Sequence, residues 1–112
     1  MNWITLSNAA DVDAIKEASF AQPQLIFKHS TRCSISSMAK SRLERATPPA
    51  NTQFHYLDLV ANRNISNLIA DTFHVEHESP QVLLIKKGEC VYDESHSGIS
   101  MDEISEQTEN HK

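Results

Sequence analysis

Apolar and polar residues follow two periodicities along this chain, one typical of strands and one typical of helices. Short apolar stretches predict strands at residues 3–6, 24–27, 54–59, 82–85 and 90–92. Apolar positions three or four residues apart predict helices around residues 12–18, 35–46 and 65–73. Ser100 and Glu103 form a candidate capping box for a fourth helix. The order β-α-β-α-β-α-β-β-α favours an α/β fold, with a central mixed sheet of four or five strands and helices on both faces.

The last two predicted strands are expected to form a hairpin at one side of the sheet. Residues 82–85 are all apolar, as in a strand buried on both faces. The turn that follows contains Gly88, which is free to adopt positive φ, so the chain can return antiparallel. The length of 112 residues suits one domain over residues 1–112, in which the polar segment 106–112 is expected to fray.

Composition and charge narrow the class of protein. A net charge of −5 disfavours binding to nucleic acid or to an anionic membrane, because both require a basic surface. Apolar runs fall well short of the roughly 20 residues that span a bilayer, and residues 1–5 do not resemble a signal peptide. Two cysteines without an export signal suggest the cytoplasm, where a cysteine is more often catalytic than a structural disulfide.

Cys33 is the strongest candidate for chemistry. It lies between the predicted strand 24–27 and the predicted helix 35–46, where the N–H groups of a first helical turn stabilise a thiolate. A lone cysteine is more commonly a small buried apolar residue, but the neighbours of Cys33 are polar. Since the thiolate is the nucleophile of disulfide exchange, we predict that Cys33 is a redox residue.

Several motifs together resemble a thioredoxin-like domain. They are a Cys-x-x-Ser turn at residues 33–36, Pro80 before the strand of the terminal hairpin, and a closing helix. The runs HSTRCSIS at residues 29–36 and SHSGIS at residues 95–100 resemble the small monothiol bacilliredoxin family of the YtxJ type, a bacterial family linked to bacillithiol. The resemblance covers nearly the whole chain. Ser34 departs from it, because the family is expected to carry proline there, which pre-sets a first helical turn.

The resemblance implies thiol–disulfide exchange. Cys33 would attack a mixed disulfide between a protein and bacillithiol and take the small thiol onto itself. Bacillithiol would be a co-substrate, S-bacillithiolated proteins would be the partners, and no tightly bound cofactor is expected. The family also implies a cis Ser79–Pro80 bond that offers the backbone of Ser79 to an extended substrate. From the residues alone, Pro80 is as readily a plain proline at the start of a strand.

Ser36 occupies the position where dithiol relatives carry a resolving cysteine. A hydroxyl cannot form a disulfide, so the mixed disulfide on Cys33 must wait for an outside thiol. Ser36 either donates a hydrogen bond to the Cys33 thiolate or is an ordinary serine of the first helical turn. The sequence leaves both readings open.

Basic residues before Cys33 are expected to favour the thiolate and to attract an anionic small thiol. Arg32 is adjacent to the thiol and could bind a carboxylate, or it could be a solvated loop arginine. Lys28 and His29 add further positive charge. His29 could instead pack beneath the loop and orient it through a backbone hydrogen bond.

The remaining candidates receive weaker interpretations. Cys90 is expected to be structural, because a strand thiol lacks the positive surroundings that activate sulfur. His77 precedes Pro80 and could protonate a leaving thiolate, or it could be a solvated loop histidine. His74, His77 and two nearby glutamates form only a weak metal pattern, so no metal site is predicted. We expect a structural, hydrogen-bonding role for His96.

Two other functions fit a monothiol thioredoxin-like domain. A carrier of the monothiol glutaredoxin type holds an iron–sulfur cluster between two protomers, but its motif resembles Cys-Gly-Phe-Ser, and Cys33 and Ser36 enclose no Gly-Phe pair. A non-enzymatic adaptor would bind extended segments beside Pro80 without using the thiol. The oligomeric state stays open.

Overall fold

The computed structural model describes residues 2–110, which build a five-stranded sheet with helices on both faces. The strands are β1 (Trp3–Leu6), β2 (Gln24–His29), β3 (Gln53–Asp58), β4 (Gln81–Lys86) and β5 (Glu89–Ser95). The helices are α1 (Ala9–Ala18), α2 (Ser34–Arg45), α3 (Arg63–Phe73) and α4 (Met101–Asn110), with a 3₁₀ turn at His96–Gly98. The α/β class, the element order and the mixed sheet predicted from the sequence are confirmed.

The strands lie in the order β1-β3-β2-β4-β5. β1 and β2 both run parallel to β3, whereas β4 runs antiparallel to β2 and to β5. Lys87 and Gly88 connect β4 to β5 with φ values of 53° and 80°. Two consecutive positive φ values are typical of the tight turn that matches the twist of a hairpin, so the predicted hairpin and the role of Gly88 are confirmed.

Each face of the sheet has its own apolar core, because successive strand residues point to opposite faces. The core under α1 and α3 contains Val12, Ile15, Ile26, Leu57, Ile65, Ile69, Leu83 and Ile85. The core under α2 and α4 contains Leu25, Phe27, Ala39, Leu43, Val82, Leu84, Ile99 and Ile104. Every residue of β2 and β4 is buried, and both strands have neighbours on both sides in the sheet.

The C-terminal segment forms the helix α4. Ser100 Oγ accepts a hydrogen bond from the backbone N–H of Glu103 at 3.2 Å, so α4 begins where the capping signal indicated. The helix then continues to Asn110, and the carbonyl of Thr108 accepts a hydrogen bond from Lys86 Nζ at 3.0 Å. This contact docks the helix on β4, and fraying of its last residues stays a prediction. Residues 111–112 lie outside the described part of the chain.

The pairing of β2 with β4 decides where the candidate residues meet. Lys28 near the end of β2 pairs with Gln81 at the start of β4. Residues 30–33 leave β2 and residues 77–80 enter β4. The two segments therefore lie at the same end of these neighbouring strands. Across residues 2–110, none of the helices combines the length and the apolar character needed to cross a membrane.

Candidate functional site

Cys33 lies at the start of α2, as the sequence predicts. Its backbone is extended, with φ −112° and ψ 120°, and it is the N-cap residue of the helix. The N–H of Cys33 donates to the Ser30 carbonyl at 3.1 Å, and its own carbonyl accepts from Ser37 N–H at 3.1 Å. The thiol is free and partly exposed. It therefore sits beside the first-turn N–H groups of α2, which have no acceptor within the helix.

The Ser79–Pro80 peptide bond is cis, as the resemblance implied. Pro80 is buried, and its carbonyl accepts a hydrogen bond from the N–H of His96 at 3.0 Å. The side chain of Ser79 has a buried Oγ that finds no hydrogen-bond partner among residues 2–110.

Ser36 and His29 form a buried pair beneath the segment that carries Cys33. Ser36 Oγ lies 2.7 Å from His29 Nδ1 and accepts a hydrogen bond from the N–H of Ser30 at 3.0 Å. The described side chains include no hydrogen bond between Ser36 and Cys33, so the contacts favour the role of a structural first-turn serine. The hydroxyl instead anchors residues 30–33 to the helix.

His29 is only 5% exposed, and its ring stacks at 5.7 Å from the ring of Phe27. Burial lowers the pKa of His29, and the nearby ammonium of Lys40 lowers it further. The ring of His29 packs beneath the loop that carries Cys33, and its contact with a substrate stays a prediction. Packing beneath the loop was the alternative that the sequence left open, although the contact runs through the side chain of Ser36 rather than through the backbone.

The structure corrects the expectation for Lys28 and places Arg32 where it was expected. Arg32 is exposed and directly precedes Cys33. Lys28, in contrast, is fully buried, and its Nζ donates to the Ser66 carbonyl at 3.2 Å. It points to the face of the sheet that carries α3, whereas Cys33 begins the helix on the other face. The charge of Lys28 is therefore directed into the core next to α3 rather than to the thiol.

His77 joins Lys28 and Ser66 in a polar cluster that sequence reasoning missed. His77 Nδ1 lies 3.3 Å from Lys28 Nζ and 3.0 Å from Ser66 Oγ. Burial lowers the pKa of Lys28 to about 8, and it also lowers the pKa of His77, helped by the charges of Lys28 and Arg63. One signal was available in the sequence: Lys28 shares a strand face with Ile26, so a lysine had to point into a core.

The rest of the segment before β4 is held by its own polar contacts. Gln81 Nε2 donates to the Glu76 carbonyl at 3.0 Å. His96 Nε2 lies 3.8 Å from a carboxylate oxygen of Glu78. The backbone hydrogen bond from His96 to the Pro80 carbonyl and this side-chain contact tie the 3₁₀ turn to residues 78–80.

Cys90 has surroundings opposite to those of Cys33. Its Sγ donates to the Tyr92 carbonyl at 3.3 Å, and burial raises the pKa of the thiol to about 11. A cysteine in this state is protonated and unreactive at neutral pH, which supports a structural interpretation. His74 ends α3 in a left-handed conformation with φ 58°. Within residues 2–110, no three His, Cys, Asp or Glu residues are grouped so that they could hold a metal ion.

Solved structures with the same fold support this description. A protein described as an oxidoreductase with a thioredoxin fold is 27% identical, with a TM-score of 0.79 over 94% of this chain and 92% of that one. A mutant thioredoxin from Halobacterium salinarum NRC-1 is 15% identical, with a TM-score of 0.74 over 98% of this chain and 90% of its own. Thioredoxin from Fasciola hepatica is 19% identical, with a TM-score of 0.72 and coverages of 96% and 98%.

The thioredoxins, at such low identity, show the fold alone. With the free thiol at the start of α2, the fold defines a thiol oxidoreductase of the thioredoxin-like class. The sequence also matches the family described as monothiol bacilliredoxin BrxC over residues 4–104. This match spans most of the chain, so the chain belongs to the monothiol bacilliredoxin BrxC family, and the resemblance found in its motifs is confirmed.

Proposed function

We propose that this protein removes bacillithiol from protein mixed disulfides through Cys33. The observation that carries the proposal is the position of Cys33, a free and partly exposed thiol at the N-cap of α2. Disulfide exchange requires a thiolate that a substrate can reach, and a helix N-terminus stabilises that anion. Cys90 does not meet the requirement, because burial raises its pKa to about 11. Membership of the bacilliredoxin family supports bacillithiol as the small thiol.

In the first step, the Cys33 thiolate attacks the bacillithiol sulfur of the mixed disulfide. A new S–S bond forms between Cys33 and bacillithiol while the original S–S bond breaks. The sulfur of the client protein leaves as a thiolate and takes a proton from water. The disulfide has moved from the client to Cys33, with no net oxidation or reduction.

The second step needs another thiol, because the chain has a hydroxyl at Ser36. A low-molecular-weight thiol attacks the adduct, restores the Cys33 thiolate and leaves as a disulfide with bacillithiol. The hydroxyl of Ser36 holds the segment before α2, since it accepts from Ser30 N–H and contacts His29. In this scheme, Ser36 positions Cys33 without taking part in bond exchange.

The groups around the thiol suggest how substrates bind. Arg32 is exposed beside Cys33 and would pair with a carboxylate of bacillithiol. The client polypeptide would extend along residues 77–80, where the cis bond before Pro80 would offer it the backbone of Ser79. His77 would contribute a ring N–H at the same segment. We place the reaction in the bacterial cytoplasm, where small thiols are kept reduced.

A mass-transfer experiment tests the proposal. The wild-type protein is mixed with a client that carries one bacillithiol, and intact masses are followed over time. We expect the client to lose the mass of one bacillithiol and Cys33 to gain it. Cys33→Ser should abolish the transfer, whereas Cys90→Ser, the matched control, should retain most of it. Equal transfer by all three proteins would rule out Cys33 as the nucleophile.

A further inference from the structure

Lys28 is a buried charge that the exchange reaction on Cys33 does not use. It is 0% exposed, and its Nζ lies 3.2 Å from the Ser66 carbonyl and 3.3 Å from His77 Nδ1. Ser66 belongs to α3, and His77 belongs to the segment that leads to Pro80. Lys28 therefore connects the central strand β2 to the segment where the client polypeptide is proposed to lie.

The hydrogen-bonding capacity of the three side chains determines where the proton of His77 sits. The hydroxyl of Ser66, 3.0 Å from His77 Nδ1, can either donate or accept, so it does not select a tautomer. The ammonium of Lys28 can only donate. His77 Nδ1 must therefore accept, and in a neutral ring the proton is then carried by Nε2.

We propose that Lys28 is a positioning residue that fixes His77 as an Nε2–H donor, which binds an acceptor oxygen of the client polypeptide. The tautomer is a property of the folded chain alone. The use of the N–H for a client rests on the proposed exchange function and deepens it.

The charges around the two side chains are consistent with this arrangement. Burial, Lys28 and Arg63 on α3 all lower the pKa of His77, while the adjacent Glu78 raises it, and the net lowering favours the neutral ring. Gln81, which pairs with Lys28 from β4, is uncharged. Burial lowers the pKa of Lys28 to about 8, so the ammonium is present at neutral pH and is lost above that value.

Packing alone does not explain a lysine at this position. A buried ammonium is unfavourable relative to an apolar side chain of similar length, such as methionine. The other buried lysine described above, Lys86, donates to a helix carbonyl at the opposite end of β4. Lys28, at the end of the sheet near Cys33, contacts a histidine, and this contact gives its charge a use.

Nitrogen-15 NMR of the histidine rings tests the tautomer in the absence of substrate. In the wild-type protein at pH 7, we expect the proton of His77 on Nε2. In Lys28→Met, we expect the Nδ1–H form to appear and the pKa of His77 to rise. Ser66→Ala should keep the Nε2–H form, and so should Lys86→Met, the matched loss of a buried ammonium. In the wild-type protein, raising the pH above 8 should allow the Nδ1–H form to appear, because a neutral amine can accept a hydrogen bond as well as donate one.

A ring protonated on Nδ1 in the wild-type protein at pH 7 would overturn the inference, and so would a tautomer that is indifferent to Lys28→Met. The exchange assay then tests the use of the N–H. We expect Lys28→Met to raise KM for a bacillithiolated client about two- to tenfold with a nearly unchanged kcat, the size of one hydrogen bond. A wild-type KM would also overturn the inference. Activity retained by Cys33→Ser would instead overturn the proposed function.

Discussion

His29 Nδ1 lies 2.7 Å from Ser36 Oγ, so the last residue of β2 is joined to the first turn of α2. The same hydroxyl accepts the N–H of Ser30 at 3.0 Å. Residues 30–33 are thereby held between the strand and the helix. The position of Cys33 depends on this buried pair, which needs no second cysteine.

Ser36→Ala tests the importance of this pair for stability. The variant leaves the N–H of Ser30 and the ring of His29 without their shared partner. Since Ser36 is fully buried, we expect the free energy of unfolding to fall by about 1–3 kcal/mol in urea titrations. Ser37→Ala, at the next and exposed position of α2, should change it by less than about 0.5 kcal/mol. Equal effects of the two variants would show that Ser36 is not an anchor.

Ser34→Pro should stabilise the protein. Ser34 is the first residue of α2, where an N–H has no partner inside the helix and proline is favoured. The backbone of Cys33, at φ −112° and ψ 120°, already has the extended conformation required before proline. We expect thermal and urea unfolding to show a gain of about 0.4–1 kcal/mol. Ser41→Pro, inside the same helix, should cost about 3 kcal/mol. A less stable Ser34→Pro protein would contradict this reading of the helix start.

Lys28→Met should raise stability at neutral pH. Burial lowers the pKa of Lys28 from 10.5 to about 8, so the folded state binds this proton less tightly than the unfolded state. At pH 7 the cost of burying the ammonium is fully present. It lowers the free energy of unfolding by about 3 kcal/mol before the hydrogen bonds of Lys28 are counted. The wild-type protein regains this free energy of unfolding as the pH rises from 8 to 10.5.

Urea unfolding at pH 7 and pH 10 measures this difference. We expect Lys28→Met to be more stable than the wild-type protein at pH 7 and the gap to shrink at pH 10. Lys16→Met removes an exposed lysine and should change stability by less than about 0.5 kcal/mol at either pH. A variant that is less stable at pH 7, with no change in the gap, would show that the buried ammonium carries no penalty.

His55 should make the protein acid-sensitive. Its Nε2 donates to Gln24 Oε1 at 2.7 Å, and burial lowers the pKa of His55 from 6.5 to about 4. The unfolded state binds the proton more tightly, so stability is lost as the pH falls from 6.5 to 4, by about 3 kcal/mol. Thermal unfolding between pH 7.5 and pH 4 should show this loss. His55→Gln should flatten the slope, and an unchanged slope would assign the acid sensitivity to other groups.

Much of the architecture followed from local sequence signals. Apolar periodicity located the strands and helices, Gly88 marked the hairpin turn, and Ser100 marked the start of α4. The place of Cys33 was also predictable, because the strand before it and the helix after it are adjacent in sequence. The docking of residues 106–110 on the sheet was not predictable from the sequence. It depends on a contact between Lys86 of β4 and Thr108 of α4, which are distant in sequence.

The chain by itself determined which sulfur stands at a helix start, because strand and helix formation depend on short-range patterning. Only the tertiary structure decided the partners of the polar side chains. Lys28 and His77 are 49 positions apart, and they meet because β2 pairs with β4 and α3 covers one face of the sheet. The strand face that a lysine occupies decides whether it stabilises a thiolate or orients a histidine. Packing of the whole sheet sets the environment of that face.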